Sequence, residues 1–195
     1  MKQKLIIIAL TMCGFSAVAQ ERIAVKTNLL YGATTLTPNL GVEVGLGKHT
    51  TIDIAGGYNW FNLDGAKNNN KKLVHWMVQP EFRYFLAERF NGHYFGVHGI
   101  ASMYNIGGYN LPMLFGKDSQ NYRHEGSAYG VGFSYGYQYM LSERWNIAAS
   151  IGAGYMNMNY DRYNCRNCGG LNKEGVTKNY FGITKAGISI IYIIK

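Results

Sequence analysis

The chain has 195 residues, a formal charge of +8 at pH 7, and 15% charged against 47% hydrophobic residues, with 25 Gly, 16 Tyr, 9 Phe and only 3 Pro. That balance fits neither a disordered chain nor an ordinary soluble surface. No apolar run after residue 19 is long and pure enough for a spanning helix, so a membrane reading has to use strands.

At the N-terminus, Lys2 and Lys4 precede a short apolar run over residues 5–12 and the small-residue site Ala17-Val18-Ala19. This pattern predicts a cleaved signal peptide over residues 1–19 and one domain over residues 20–195. A lipoprotein signal, Leu10-Thr11-Met12-Cys13, is the rival, with bulky Met12 where a small residue is expected. Loss of Lys2 and Lys4 with the signal lowers the formal charge to +6. Loss of Cys13 leaves Cys165 and Cys168, an even count in an exported setting.

Eight stretches then alternate with period two, the pattern of strands with one apolar face. The first covers about residues 23–33, with Ile23, Val25, Leu29 and Tyr31 on one face. The second covers 39–47, where Leu40, Val42, Val44 and Leu46 oppose Gly41, Glu43 and Gly45. The third covers 51–61, setting Ile52, Ile54, Tyr58 and Trp60 against Asp53, Ala55 and Gly57. In the fourth, 73–86, Val74, Trp76, Val78, Phe82 and Tyr84 oppose His75, Gln79, Glu81 and Arg83. The fifth, 93–104, carries Phe95, Val97, Ala101 and Met103 on one face. The sixth, 126–140, interleaves Tyr129, Val131, Phe133, Tyr135, Tyr137 and Tyr139 with Gly, Ser and Gln. The seventh covers 145–157 and the eighth 180–194, where Ile188, Ile190, Tyr192 and Ile194 share a face. Pro80 interrupts the fourth stretch, and a bulge is expected there.

Connections at 47–50, 87–92 and 141–144 are short, whereas 62–72, 105–125 and 160–179 are long and polar; 34–38 is the short exception. Alternating segments of about ten residues with this loop asymmetry predict an all-β, eight-stranded, antiparallel, up-and-down transmembrane β-barrel, short turns inside and long loops outside. A soluble sandwich or lipocalin-like barrel also alternates. Its core would not be filled by a Gly/Ser/Asn-rich face, and its large-residue face would not be continuous and nearly charge-free. The turns Glu88-Arg89-Phe90-Asn91 and Glu143-Arg144-Trp145-Asn146 echo each other. Their aromatics suit a membrane interface, as do Trp60, Trp76 and Tyr155 at outer strand ends and Tyr84, Phe95, Tyr139 and Tyr192 at inner ends.

The segments Ala24-Val25-Lys26-Thr27-Asn28-Leu29-Leu30-Tyr31, Pro38-Asn39-Leu40-Gly41-Val42-Glu43 and Pro80-Glu81-Phe82-Arg83-Tyr84 carry a family resemblance. The chain resembles small outer-membrane barrels of the OmpX and OmpA-transmembrane type. More closely, it resembles a domain-of-unknown-function family (family 3575) of Bacteroidetes outer-membrane barrels. The resemblance implies an outer-membrane address, no assigned reaction, and a link to fimbrial or other surface-assembly genes. The end departs from the pattern of many such barrels, since Tyr192 is followed by three more residues.

The small-residue face carries Lys26, Glu43, Asp53, His75, Glu81, Arg83, His98 and Lys185. An eight-stranded barrel has an interior just wide enough for side chains. Three acids (Glu43, Asp53, Glu81) and three bases (Lys26, Arg83, Lys185) there predict a lumenal charge network that plugs the barrel; an ion path or gated channel is the alternative. A lipid A-modifying enzyme would draw on His98, Ser102, His124 and Ser127. His98 and Ser102 share parity but stand about 13 Å apart at roughly 3.3 Å per residue, beyond hydrogen-bond reach. No enzyme, cofactor or metal site is expected.

Cys165-Arg166-Asn167-Cys168 in the last long loop admits a local disulfide, a redox pair or half a metal site. Two further zinc ligands are missing nearby, and so is a thioredoxin-like helix start, so a disulfide pinning the loop is expected. The long loops are basic: Lys67, Lys71, Lys72, Arg162, Arg166, Lys173 and Lys178 exceed Asp64, Asp161 and Glu174. The partners expected are outer-membrane lipid and lipopolysaccharide, and surface or fimbrial proteins through the loops. Nothing argues for nucleic acid.

Overall fold

The computed structural model describes residues 23–60, 71–116, 119–164 and 170–194. The expected signal segment, Cys165 and Cys168, and Asp64, Lys67 and Arg166 lie outside the described residues. Eight strands close into an antiparallel barrel in chain order: β1 (Ile23–Asn28), β2 (Asn39–Gly45), β3 (Thr50–Asn59), β4 (Lys72–Phe85), β5 (Gly92–Gly107), β6 (Arg123–Met140), β7 (Trp145–Tyr163) and β8 (Leu171–Ile194). The ring closes where Ile23 pairs with Ile194 and Asn28 with Ser189.

Burial is inside out. The inward face holds Lys26, Glu43, Asp53, Glu81 and Arg83, all buried, whereas Val42, Ile54, Val131, Phe133 and Phe181 face outward, the last two 75% and 83% exposed. On β4 to β7 this outward apolar belt runs over Val74–Tyr84, Phe95–Met103, Tyr129–Tyr139 and Trp145–Tyr155, about 9–11 residues per strand. Beyond it, β5, β6, β7 and β8 continue as a sheet whose outward residues include Glu125, Asn157, Asn159 and Thr177.

Four expectations change. The first strand ends at Asn28 rather than near residue 33. The Asn28 side chain accepts from Tyr31 N at 3.1 Å and so caps helix α1 (Leu29–Thr35), which replaces the rest of that strand. The connection at 160–179 is largely strand, and that at 105–125 is strand at its two ends, because β5 to β8 pair well past the belt. The bulge expected at Pro80 is absent. The β4–β5 ladder skips Gln79 and Pro80 and resumes in the same register, from Val78↔Ala101 to Glu81↔His98, with Gly99 leaving room for the proline ring. The bulge lies instead in β8: Gly152 pairs with Lys185 but Ala153 with Ile183, so Thr184 is the extra residue.

The fourth change concerns Phe90. Its counterpart Trp145 faces outward, as expected of both, whereas Phe90 is 1% exposed and folds into the mouth of the barrel. It sits at φ 63°, a left-handed conformation that costs a non-glycine residue about 1–2 kcal/mol. Packing with Ala24, Ala148, Ile191 and Ile193, and a bond from Asn146 Nδ2 to its carbonyl at 2.8 Å, hold it there.

Candidate functional site: a charged layer across the lumen

Just outside the Phe90 cork lies a layer of six ionised side chains. The Arg83 guanidinium stands at its centre, on β4, 2% exposed. Its Nη1 donates to Glu43 Oε2 at 2.7 Å, its Nη2 to Asp53 Oδ2 at 3.0 Å and its Nε to Glu81 Oε2 at 2.5 Å. Lys26 donates to the same Asp53 oxygen at 2.5 Å, and Lys185 to Glu81 Oε2 at 2.6 Å. Two of the three spare oxygens are held by neutral groups: Thr51 Oγ1 donates to Glu43 Oε1 at 2.7 Å, and Ser134 Oγ to Glu81 Oε1, whereas Asp53 Oδ1 has no partner among the described residues. Tyr94 lies under the guanidinium, 4.7 Å from its ring centre to the carbon.

Register places these groups. Glu43 opposes Asp53 across β2–β3, and Asp53 opposes Glu81 across β3–β4, so three carboxylates form a row over three strands. Like charges side by side repel strongly in a low dielectric. Arg83, two residues along β4 from Glu81, answers all three, and Lys26 and Lys185 arrive from β1 and β8. Three acids against three bases leave the layer neutral, as a buried ionic cluster requires. Gly96 opens the space: a methyl there would come within 2.7 Å of Glu81 Oε1. The remaining cavity, about 30 Å³ and bordered by Lys26, Asp53, Arg83 and Lys185, has room for a water-sized group. It has no room for a hydrated ion to pass.

All six residues named from the sequence as a charge network therefore meet in one layer. The two histidines of that face do not join it. His98 Nε2 pairs with Thr184 Oγ1 at 2.9 Å, so the β8 bulge and Gln79, whose Nε2 reaches Thr184 O at 3.4 Å, form a shelf above the charges. His75 Nδ1 lies 2.9 Å from Leu73 O and must carry the proton, because a carbonyl only accepts. Its Nε2 then accepts from the Tyr31 hydroxyl of α1 at 2.6 Å.

The residues considered for lipid chemistry are dispersed. Ser102 Oγ donates to Trp76 O at 2.7 Å. His124 stacks on Phe115 with ring centres 4.2 Å apart, near Tyr160. Burial first, then the charges of Arg162 and Lys178, hold its pKa down at about 4. Neither Ser102 nor Ser127 shares a hydrogen bond with a histidine among the described residues. No group of three or more metal-ligating side chains occurs among them either.

Above the shelf, the outer half of the lumen is apolar. A cavity of about 450 Å³ is bounded by Leu73, Met77, Ile100, Ala128, Met156 and Met158. Leu111, Leu114 and Phe115 roof it, the last two from the short helix α2 (Pro112–Phe115). Sequence reasoning assigned these residues only to faces and loops. Their signal was the change of the inward face from charged to methionine-rich at Met77, Met156 and Met158.

Among the basic outer residues, Arg162 lies over the Tyr122 ring at 4.5 Å, Arg123 over Tyr163 at 3.9 Å and Lys71 over Tyr109 at 4.8 Å. These pairings fix three cations on the outer sheet and its adjoining loop. No curated protein and no solved structure matches the chain. A family profile matches residues 5–194, and by that match the chain belongs to the family described as Protein of unknown function (DUF3575).

Proposed function

We propose that the chain is a small outer-membrane β-barrel with a plugged lumen, acting as a structural and surface-interaction protein. The observation that carries this reading is the inversion of polarity: an exposed apolar belt outside and a buried ionic layer of three acids and three bases inside. A soluble protein would bury the belt. A bilayer accepts it, and a closed ring leaves no backbone edge in lipid except where α1 covers β8. The rim aromatics Trp60, Tyr155, Tyr84, Tyr139 and Trp145, all outward, suit the two interfaces.

The Phe90 cork and the charged layer close the lumen in series, which supports anchoring over conduction. The part left to make contacts is the outer sheet of β5 to β8, with Arg162, Lys173 and Lys178 available to lipopolysaccharide phosphates or acidic surface proteins. The sequence resemblance extends this to fimbrial or envelope assembly. A disulfide between Cys165 and Cys168 would pin the loop that crowns this sheet.

Single-channel recording of the mature chain in planar bilayers tests the plug. No steady conductance is expected; a steady conductance that Glu81→Gln or Arg83→Ala alters overturns it. A photocrosslinker at Asn159 or Thr177 in intact cells tests the contacts. Adducts with lipopolysaccharide or surface proteins are expected, and their absence removes the interaction reading.

A further inference from the structure

We propose that the outer half of the lumen binds a single acyl chain, admitted sideways from the bilayer between β8 and α1. This rests on the membrane reading above. The cavity, about 450 Å³, falls in the size range of small-molecule sites. The polar side chains in its wall, Thr34, Thr35, His75, Ser102 and Thr184 among them, are already hydrogen-bonded within the protein, which leaves little for a sugar, a peptide or an ion. Met77, Met156 and Met158 supply the soft, adaptable contacts that suit a flexible chain.

One polar group in the wall lacks a partner. Tyr104 is 7% exposed, and its hydroxyl has no hydrogen-bond partner among the described residues. A buried hydroxyl left unpaired costs about 1–3 kcal/mol. The carbonyl or carboxyl oxygen at the end of an acyl chain supplies the acceptor it lacks, so the ligand is apolar with one accepting end.

The route follows from the mismatch between the closing strands. β1 has six residues and β8 has 24, and their ladder stops at Asn28↔Ser189. Beyond it, α1 packs against β8 in place of a strand. Asn28 Nδ2 donates to Ala186 O at 3.2 Å just past the ladder's end. Thr34 and Thr35 of α1 and Ile183 and Thr184 of β8, the two sides of this seam, both border the cavity. Outside, α1 exposes Leu29 and Leu30 in line with the belt. A shift of α1 would therefore open the wall without breaking a strand ladder.

The test places the mature chain in lipid nanodiscs with a diazirine at the chain end of either a long-chain free fatty acid or a phosphatidylcholine. Adducts are mapped by mass spectrometry after illumination. Outward residues such as Phe133, Ile151 and Phe181 report contact with the bilayer; Ile100, Met156 and Met158 report the cavity. Inward adducts are expected. Their appearance with phosphatidylcholine identifies a bilayer lipid as the source, and with the fatty acid alone, the free acid. Outward adducts without inward ones overturn the proposal, whereas loss of both overturns the membrane reading on which it rests.

Ala128→Trp, which fills the cavity, should lower inward labelling about tenfold or more, a difference of ~1.4 kcal/mol or more in binding, with outward labelling unchanged. Inward labelling at the original level refutes the site. If that variant fails to insert, Tyr104→Phe decides. It keeps the shape and removes the donor, so inward labelling by the fatty acid should fall severalfold, and an unchanged level refutes the assigned role of the hydroxyl.

Discussion

Replacing Arg83 by methionine would strand one carboxylate, and the geometry says which. Without the guanidinium, Asp53 keeps Lys26 at 2.5 Å, and Glu81 keeps Lys185 at 2.6 Å and Ser134. Glu43 keeps only the Thr51 hydroxyl at 2.7 Å, and it is 0% exposed. Removing one partner of a buried ion pair costs about 3–5 kcal/mol, because the other charge stays buried and unanswered. Adding Glu43→Gln removes that charge. The double variant should recover most of the loss, with a residue of about 1–2 kcal/mol from imperfect hydrogen bonding. Urea titration in phospholipid vesicles, followed by tryptophan fluorescence and extrapolated linearly, gives the four stabilities of the cycle. The expected coupling is about 2–3 kcal/mol. A coupling within about 0.5 kcal/mol of zero would refute the assignment of Glu43 as the dependent carboxylate.

Deleting Thr184 would take out the extra residue and restore simple alternation in β8 with Phe181 and Ile183 still in the belt; the folded, heat-modifiable band on gels is expected to survive, and its loss would count against the bulge. Asn28→Ala removes both the cap of α1 and the bond to Ala186, a loss of about 1–2 kcal/mol that should show as faster amide exchange in residues 29–35 with β4 to β7 unchanged. His124 is neutral in the fold, its pKa lowered from 6.5 to about 4. The unfolded chain therefore takes up a proton first as pH falls, so the stability of the outer sheet is full above 6.5 and declines between 6.5 and 4. Exchange rates around Phe115 should rise over that window in the parent and not in His124→Phe. Alkylation of the natively exported protein should find neither Cys165 nor Cys168 free.

The strands were legible because the barrel imposes one rule on every residue of a strand: large and apolar outside, small or polar inside. Tyr129 to Tyr139 obey it without exception, and the same parity brought the six charged residues to one face. What escaped are the places where local chemistry overrides alternation. Leu29 and Tyr31 continue the apolar parity of β1, yet Asn28 beside Ala186 and Asn39 starts a helix, because its side chain satisfies a helical amide better than a ladder does. The bulge at Thr184 had a signal: Phe181 and Ile183 are odd-numbered whereas Ile188, Ile190 and Tyr192 are even-numbered, and both sets face outward. Pro80 drew attention instead, but a missing donor is a smaller demand than a reversed face. The Phe90 and Trp145 turns look alike in sequence and differ because Phe90 adopts a positive φ, which no neighbouring residue type announces.

Phe90 also bears on how the ring is completed. It belongs to the β4–β5 turn, halfway along the chain, yet it rests on Ala24 of β1 and on Ile191 and Ile193 of β8, the two strands that close the ring. It is thus a diametric strut between the middle of the chain and its ends. A β1–β8 pairing slipped by one residue would swing Ile191 and Ile193 away from it and leave the aromatic ring without a socket. This side chain, which touches both closing strands at once, gives their alignment a gauge.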